Sequence, residues 1–190
     1  MKQQIRLLGV DDSPFKFQDR KATVVGALVR LPNYLEGVMT SKVTVDGSDA
    51  SDVLIEMVSS SRYRDQIKAV VLDGIALAGF NVLDLERIHK TLGTPVLTVT
   101  RDKPDLDKMR LALSKHFSDW EDRYSLITRL ELRQVRTEHK SLWASGLGLD
   151  WPAFEELVRL SIVRGAVPEP VRMAHLIASA IVKGESYGRS

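Results

Sequence analysis

The stretch Ile67–Asn81, IKAVVLDGIALAGFN, decides the fold. Ala69-Val70-Val71-Leu72 is an unbroken apolar run, the pattern of a strand covered on both faces of an α/β sheet. The run stops at Asp73-Gly74. Asp-Gly is a common turn pair, but a carboxylate at the C-terminal end of a buried strand also stands where open α/β sheets place their ligand sites. A second run, Ile5-Arg6-Leu7-Leu8-Gly9-Val10, ends in the same way at Asp11-Asp12. Two buried strands that each deliver an aspartate to one sheet edge predict a divalent-metal site.

Upstream of the central strand, Ala22–Leu31 is rich in β-branched residues and reads as a second strand. Pro32-Asn33-Tyr34 is a turn, and Leu35–Val45 reads as a third strand. Short connections among these first three strands favour an antiparallel meander. Asp46-Gly47-Ser48-Asp49 then breaks the chain and opens a helix marked by Val53, Leu54, Met57 and Val58. Downstream, Leu83, Leu85, Ile88 and Leu92 mark a helix closed by Gly93, and Val96–Val99 is a short buried strand. The polar hook Thr100-Arg101-Asp102-Lys103 precedes Pro104, expected in the first turn of a helix striped by Leu106, Met109, Leu113 and Phe117. Ser118–Leu132 reads as a helix running into a short strand, and Ser145–Gly148 as a loop. Helices follow from Asp150-Trp151-Pro152 to Leu160 and from about Val171 to Val182. Alternation of strand and helix after the central run argues for parallel pairing with helices on both faces. The whole is the layout of a ribonuclease H-like mixed α/β sheet, antiparallel in its first three strands and parallel after them, in a single domain over residues 1–190.

Composition narrows the function classes. A hydrophobic fraction of 44% and a charged fraction of 27% are those of an ordinary globular protein. No apolar stretch approaches the roughly 18–20 residues of a membrane helix. The N-terminus, MKQQIRLLGV, runs straight into a strand with no secretion signal, which predicts a cytoplasmic protein with no membrane partner. Cysteine is absent, which rules out disulfides and thiolate metal sites. A net charge of +2 does not announce nucleic acid, although a local basic patch would suffice to bind it.

The acids can be ranked by strand parity. Leu7, Gly9 and Asp11 share one face, as do Val71 and Asp73, so Asp11 and Asp73 point the same way if their strands are neighbours. Asp12 points to the opposite face and ranks below Asp11. For a third acid, Asp49 is set against Asp46, with Asp52 in the first turn of the helix; each also fits a turn or capping role. Arg101 and Lys103 follow a buried strand on the same edge as Asp73, where either could hold a phosphate oxygen. On the last helix Arg172, His175 and Ser179 form a polar stripe beside the apolar face of Val171, Ala174, Ala178 and Ile181. Ala78-Gly79-Phe80-Asn81 reads as a loop beside the site, with Phe80 able to stack on a base.

Five blocks carry a family resemblance: LGVDDSPF (8–15), VDGSDAS (45–51), VLDGIALAGFNVLDL (71–85), TRDKPDL (100–106) and PEPVRMAHLIASAIVKGESYGR (168–189). From about Leu7 to Arg189 the chain resembles the endonuclease dU family, known mainly from archaea and related to endonuclease V. The resemblance implies a metal-dependent endonuclease acting on deaminated, uracil-containing nucleic acid, DNA more than RNA, in DNA repair. It implies Mg²⁺ or Mn²⁺ held by Asp11, Asp49 and Asp73, catalysis by Asp11, Asp73, Lys103 and His175, and nucleic-acid contacts from Arg101, Phe80, Asn81 and Arg172. Aspartate stands at Asp49 where endonuclease V has a glutamate. Val43-Thr44-Val45-Asp46-Gly47 lacks the tyrosine and prolines of that enzyme's wedge, so inosine specificity is not carried over. The competing expectation is a nucleic-acid-binding protein that kept the fold and lost catalysis. A small-molecule phosphohydrolase ranks low, because Ile75 stands where an aspartate-based phosphatase would carry its second acid.

Overall fold

The computed structural model describes residues 4–16 and 18–186. The tail 187–190, whose ordering over the site the sequence leaves open, lies outside the described residues. Among them are nine strands, β1 (Arg6–Asp12), β2 (Lys21–Arg30), β3 (Tyr34–Thr44), β4 (Ala69–Asp73), β5 (Ala76–Leu77), β6 (Asn81–Val82), β7 (Val96–Thr100), β8 (Arg133–Val135) and β9 (Leu142–Leu147). The helices are α1 (Ala50–Ser59), α2 (Leu85–Leu92), α3 (Leu106–His116), α4 (Trp120–Thr128), α5 (Trp151–Ser161) and α6 (Glu169–Lys183). None is long and apolar enough to cross a membrane.

Seven strands form one mixed sheet in the order β3-β2-β1-β4-β7-β9-β8, and β5 and β6 form a separate small hairpin. β1, β2 and β3 pair antiparallel, whereas β1, β4 and β7 are parallel. The parallel strands are the apolar runs read from the sequence, and both of their faces are covered. On one face Leu8, Val10, Val70 and Leu72 pack against Leu54 of α1 and Ile88 of α2. On the other, Leu7, Ala69 and Val71 join Phe154 and Val158 of α5 and Val171 of α6, while Val25, Ala27 and Val29 pack against Ala174 and Ala178 further along α6.

The helix α6 sits hard against β1 because Gly9 has no side chain. A Cβ there would lie 2.0 Å from the Pro170 carbonyl carbon and 2.4 Å from the Val171 nitrogen, well inside van der Waals contact. This close approach brings the middle of α6 over the end of β1.

The second half of the sheet departs from the expectation. Ser145–Leu147 belongs to β9, not to a loop, and β9 runs antiparallel to β7 with β8 antiparallel to β9. Gly146 is a packing glycine: a Cβ there would meet the Val96 carbonyl oxygen at 2.6 Å and the Phe154 ring at 2.7 Å. Glycine in a strand can mark such an approach as readily as a turn. Pro104 likewise precedes its helix, which is capped by Asp105 accepting from the Lys108 N–H. Residues 118–132 hold α4 alone, and the short strand begins at Arg133.

Candidate metal and phosphodiester site

The C-terminal ends of β1, β4 and β7 meet at one sheet edge. Gly9 pairs with Val71 and Leu72 with Thr98, so two residues beyond Gly9 and Val71 stand Asp11 and Asp73, on neighbouring parallel strands about 4.8 Å apart. Both follow the parity of Leu7 and Val71 and face α6. Asp11 is 7% exposed. Its Oδ2 is 2.8 Å from His175 Nδ1 of α6, and its Oδ1 accepts from the Asp12 backbone N–H at 2.8 Å. Asp12 turns to the other face, as parity requires, where its carboxylate accepts a hydrogen bond from the Ala78 backbone N–H.

The electrostatics of this edge are unbalanced. Burial, then the charges of Asp73 and Asp12, push the Asp11 carboxyl up to about 7 despite the His175 hydrogen bond. Burial also raises Asp12, with Asp73 adding to it. Asp73 is raised by burial and drawn back by the charges of Arg101 and His175. Burial, with carboxylate repulsion added at Asp11 and Asp12, thus raises all three carboxyls of this edge. Asp12 is therefore part of the electrostatic cluster, although the sequence ranked it second.

Of the two basic candidates after β7, Arg101 is the one whose charge acts on Asp73. Lys103, expected as a catalytic residue, is exposed and its Nζ lies over the Trp143 ring at 5.0 Å, so the structure does not bring it to the carboxylates. Arg172, expected to touch nucleic acid, is held bidentately by the buried Glu169, at 2.8 and 2.5 Å.

Asp49 is not among the charges that act on Asp11 or Asp73. It accepts from the Thr44 backbone N–H at 3.1 Å, the Thr44 hydroxyl at 2.7 Å and Asn81 Nδ2 at 2.6 Å. These bonds outweigh its partial burial and lower its pKa, fixing it as an acceptor that ties β3 to α1. Asp46 is engaged as well, accepting from the Phe80 N–H at 2.8 Å. Asn81 is a correction to the sequence reading: it is 0% exposed, beyond the reach of any solute. Its Oδ1 accepts from Ala50 N–H at 2.9 Å and its Nδ2 donates to the Thr44 carbonyl at 2.8 Å, so it satisfies the open end of α1. Phe80 is half-buried, edge-on to Phe117 with ring centroids 5.9 Å apart.

Sequence reasoning missed Arg123. This α4 residue is 9% exposed and its Nη1 donates to the carbonyls of Asp46, Gly47 and Phe80 at 3.1, 2.8 and 2.6 Å. One guanidinium thereby fixes the loop after β3 to the hairpin that supplies the Ala78 N–H to Asp12. In the sequence it is one arginine among many on a helix, and no local signal marks it.

Comparison with known proteins matches a family model described as Endonuclease dU over residues 3–182. The chain belongs to the endonuclease dU family. Relatives in the family include a UPF0215 protein of Methanosarcina barkeri, 38% identical over 191 residues that cover 100% of this chain and 97% of the relative. A UPF0215 protein of Thermococcus kodakarensis is 40% identical over 190 residues, 98% of this chain and 96% of its own. A crystal structure of a protein of unknown function from Archaeoglobus fulgidus superposes with a TM-score of 0.84 at 37% identity, covering 95% of this chain and 100% of that one. Endonuclease V of Ciona intestinalis, crystallised with a 24mer DNA containing an inosine followed by a ribo-adenosine, superposes with a TM-score of 0.63 at 13% identity, over 97% of this chain and 88% of that chain. At that identity the likeness is one of fold, and it is the ribonuclease H-like fold.

Proposed function

We propose that this member of the endonuclease dU family is a divalent-metal-dependent endonuclease that hydrolyses a phosphodiester in deaminated, uracil-containing DNA. The observation that carries the reading is the pair of Asp11, buried, and Asp73, half-buried, on adjacent strand ends, both carboxyls raised despite the His175 and Arg101 groups beside them. Hard carboxylate oxygens suit Mg²⁺ or Mn²⁺. Among the described residues no group of three or more histidine, aspartate or glutamate side chains is placed to hold a metal ion. That fits an ion held by one or two carboxylates with water and substrate phosphate in its remaining positions, the usual manner of Mg²⁺. A bound ion would supply charge stabilisation and a more acidic water at the phosphodiester.

The chain's own groups have separable tasks. Asp11 and Asp73 would hold the ion. His175 fixes the orientation of Asp11 through its Nδ1 bond, and its remaining ring nitrogen can bond a water or a phosphate oxygen. Arg101 would neutralise charge on the phosphate near Asp73. Asp12 orders the Ala78 backbone. Asp49 committed to Thr44 and Asn81 favours one second reading, a nucleic-acid-binding protein without catalysis.

A nicking assay with matched uracil-, inosine- and base-unmodified oligonucleotides, in Mn²⁺ and in chelator, separates the two. The endonuclease reading expects metal-dependent cuts next to uracil that Asp73→Asn abolishes with the fold intact. No cuts on any substrate, with salt-sensitive binding retained in chelator, would establish the second reading instead.

A further inference from the structure

Three strands from Asp73, at the same sheet edge, a basic pocket stands outside the site described above. β8 runs parallel to β4 and β7 by way of the antiparallel β9. Val135 pairs with Leu142, one step beyond the Trp143–Thr100 pair, so Val135 is level with Arg101 and Arg136 emerges at the level of Asp102. At about 4.8 Å per strand, the lateral offset from β4 to β8 is about 14 Å. Here Arg136, His139 and Arg159 line a cavity of about 330 Å³ with Glu138, Ile162 and Val163.

The pocket is built on fixed backbone. Thr137 Oγ1 donates to the Lys140 carbonyl at 2.6 Å and accepts from the Lys140 N–H at 3.1 Å, closing the β8–β9 turn. Lys140 Nζ bonds Asp102 at 3.0 Å, tying that turn to the loop that carries Arg101. Arg159 Nε donates to the Arg136 carbonyl at 3.1 Å, and its Nη2 lies 3.7 Å from Glu155. The Arg136 guanidinium has no hydrogen bond or ion pair among the described residues. With Arg159 shared with Glu155, the Arg136 guanidinium and the His139 imidazole beside Glu138, on a wall of Ile162 and Val163, suit an anion whose oxygens are recognised by planar N–H donors.

We propose that this pocket is a second phosphate subsite, which holds a backbone phosphate of the nucleic-acid strand a few nucleotides from the bond at Asp73. The proposal rests on the nucleic-acid reading above. The separation supports it: Arg136 also lies three residues, about 10 Å, further along the strands than Asp73, and the resulting distance of about 17 Å spans about five base steps of a B-form duplex at about 3.4 Å each. It also gives the strand two fixed points along one sheet edge, which sets the direction in which it crosses the carboxylates.

Fluorescence anisotropy of the full chain with a labelled uracil-containing oligonucleotide, in chelator and over about 50–200 mM salt, tests it. Arg136 is exposed, so Arg136→Ala and Arg136→Glu keep the fold. Arg62→Ala, at the opposite end of the sheet, is the control. Loss of one phosphate contact should flatten the log Kd against log salt slope by about 0.7–0.9 and weaken binding about five- to ten-fold near 0.1 M salt. Arg136→Glu should weaken it further, and Arg62→Ala should match the parent. Arg136 variants with the parental Kd and slope would overturn the subsite and leave the nuclease reading standing. A parent protein that shows no salt-sensitive binding would overturn both.

Discussion

Replacing Asp11 by asparagine should stabilise this protein in the absence of metal, and the gain should depend on pH. The Asp11 carboxyl is raised from 3.8 to about 7 by burial and by the charges of Asp73 and Asp12. Its folded-state pKa lies above its unfolded one, so the folded state binds the proton more tightly. The stability tied to that proton is complete below about pH 3.8 and is lost as pH rises through about 7. A shift of about three pH units corresponds to about 4 kcal/mol of destabilisation above pH 7 as an upper bound. Asparagine keeps an oxygen to accept from the Asp12 N–H, can donate its NH2 to Nδ1 of a neutral His175, and carries no charge. Taking half of the bound to allow for relaxation of the cluster, Asp11→Asn should gain about 2 kcal/mol at pH 8, or about 4–8 °C in Tm for a chain of this length. The advantage should shrink by up to about 1.4 kcal/mol for each pH unit from 7 toward 3.8. Differential scanning fluorimetry of both proteins in chelator, from pH 5 to pH 8, measures it. An asparagine variant no more stable than the parent at pH 8, or equally advantaged at pH 5 and pH 8, would refute the account of the carboxylate cluster. Stability gained by removing a charged carboxylate is the expected signature of a cluster held under electrostatic strain.

Saturating Mg²⁺ or Mn²⁺ should raise the parental Tm at pH 7.5, by about 1.4 kcal/mol of stability at ten times Kd, and Asp73→Asn should show no such rise. Asp49→Ala should cost about 2 kcal/mol in urea denaturation, since the Thr44 N–H, the Thr44 hydroxyl and one N–H of the Asn81 amide lose their acceptor, yet it should keep the metal-induced rise in Tm. Because its pKa is lowered, the Asp49 contribution should be present above its unfolded pKa and fade as pH falls below it. Arg123→Met should lose about 3 kcal/mol, because three loop carbonyls lose one buried donor. Its hydrogen exchange at residues 78–81 should quicken more than at β1, which amide-resolved exchange would measure.

The architecture of the first half was legible because it is written in local pattern. Apolar runs bounded by Asp11-Asp12 and Asp73-Gly74 gave buried strands, and the short links between β1, β2 and β3 gave their antiparallel pairing. Strand parity alone placed Asp11 and Asp73 on one face, since the side-chain period of a strand is two wherever it sits. The second half was not legible in the same way. The glycine of Ser145-Gly146-Leu147 reads as a turn until Val96 and Phe154 are seen against it, and strand direction in β8 and β9 has no local mark.

Which acids are tied into loop hydrogen bonds and which crowd one another came from tertiary structure. Asp11, Asp12, Asp46, Asp49 and Asp73 are the same residue type, all near turns. What divides them is where the chain puts their hydrogen-bond donors. Thr44 and Asn81 claim Asp49, the Phe80 N–H claims Asp46, and Asp11 and Asp73 keep oxygens facing one another's charge. The contact between His175 and Asp11 joins residues 164 positions apart, and the arginine that steadies the loops is Arg123, on a helix remote in sequence from both. The sequence by itself determined which strands are buried, which way their carboxylates point and which family the chain resembles, because those follow from periodicity and motif. Only the folded chain decided which acids crowd one another at the sheet edge and which are tied into the loops, because that is a property of neighbours that the linear order does not contain.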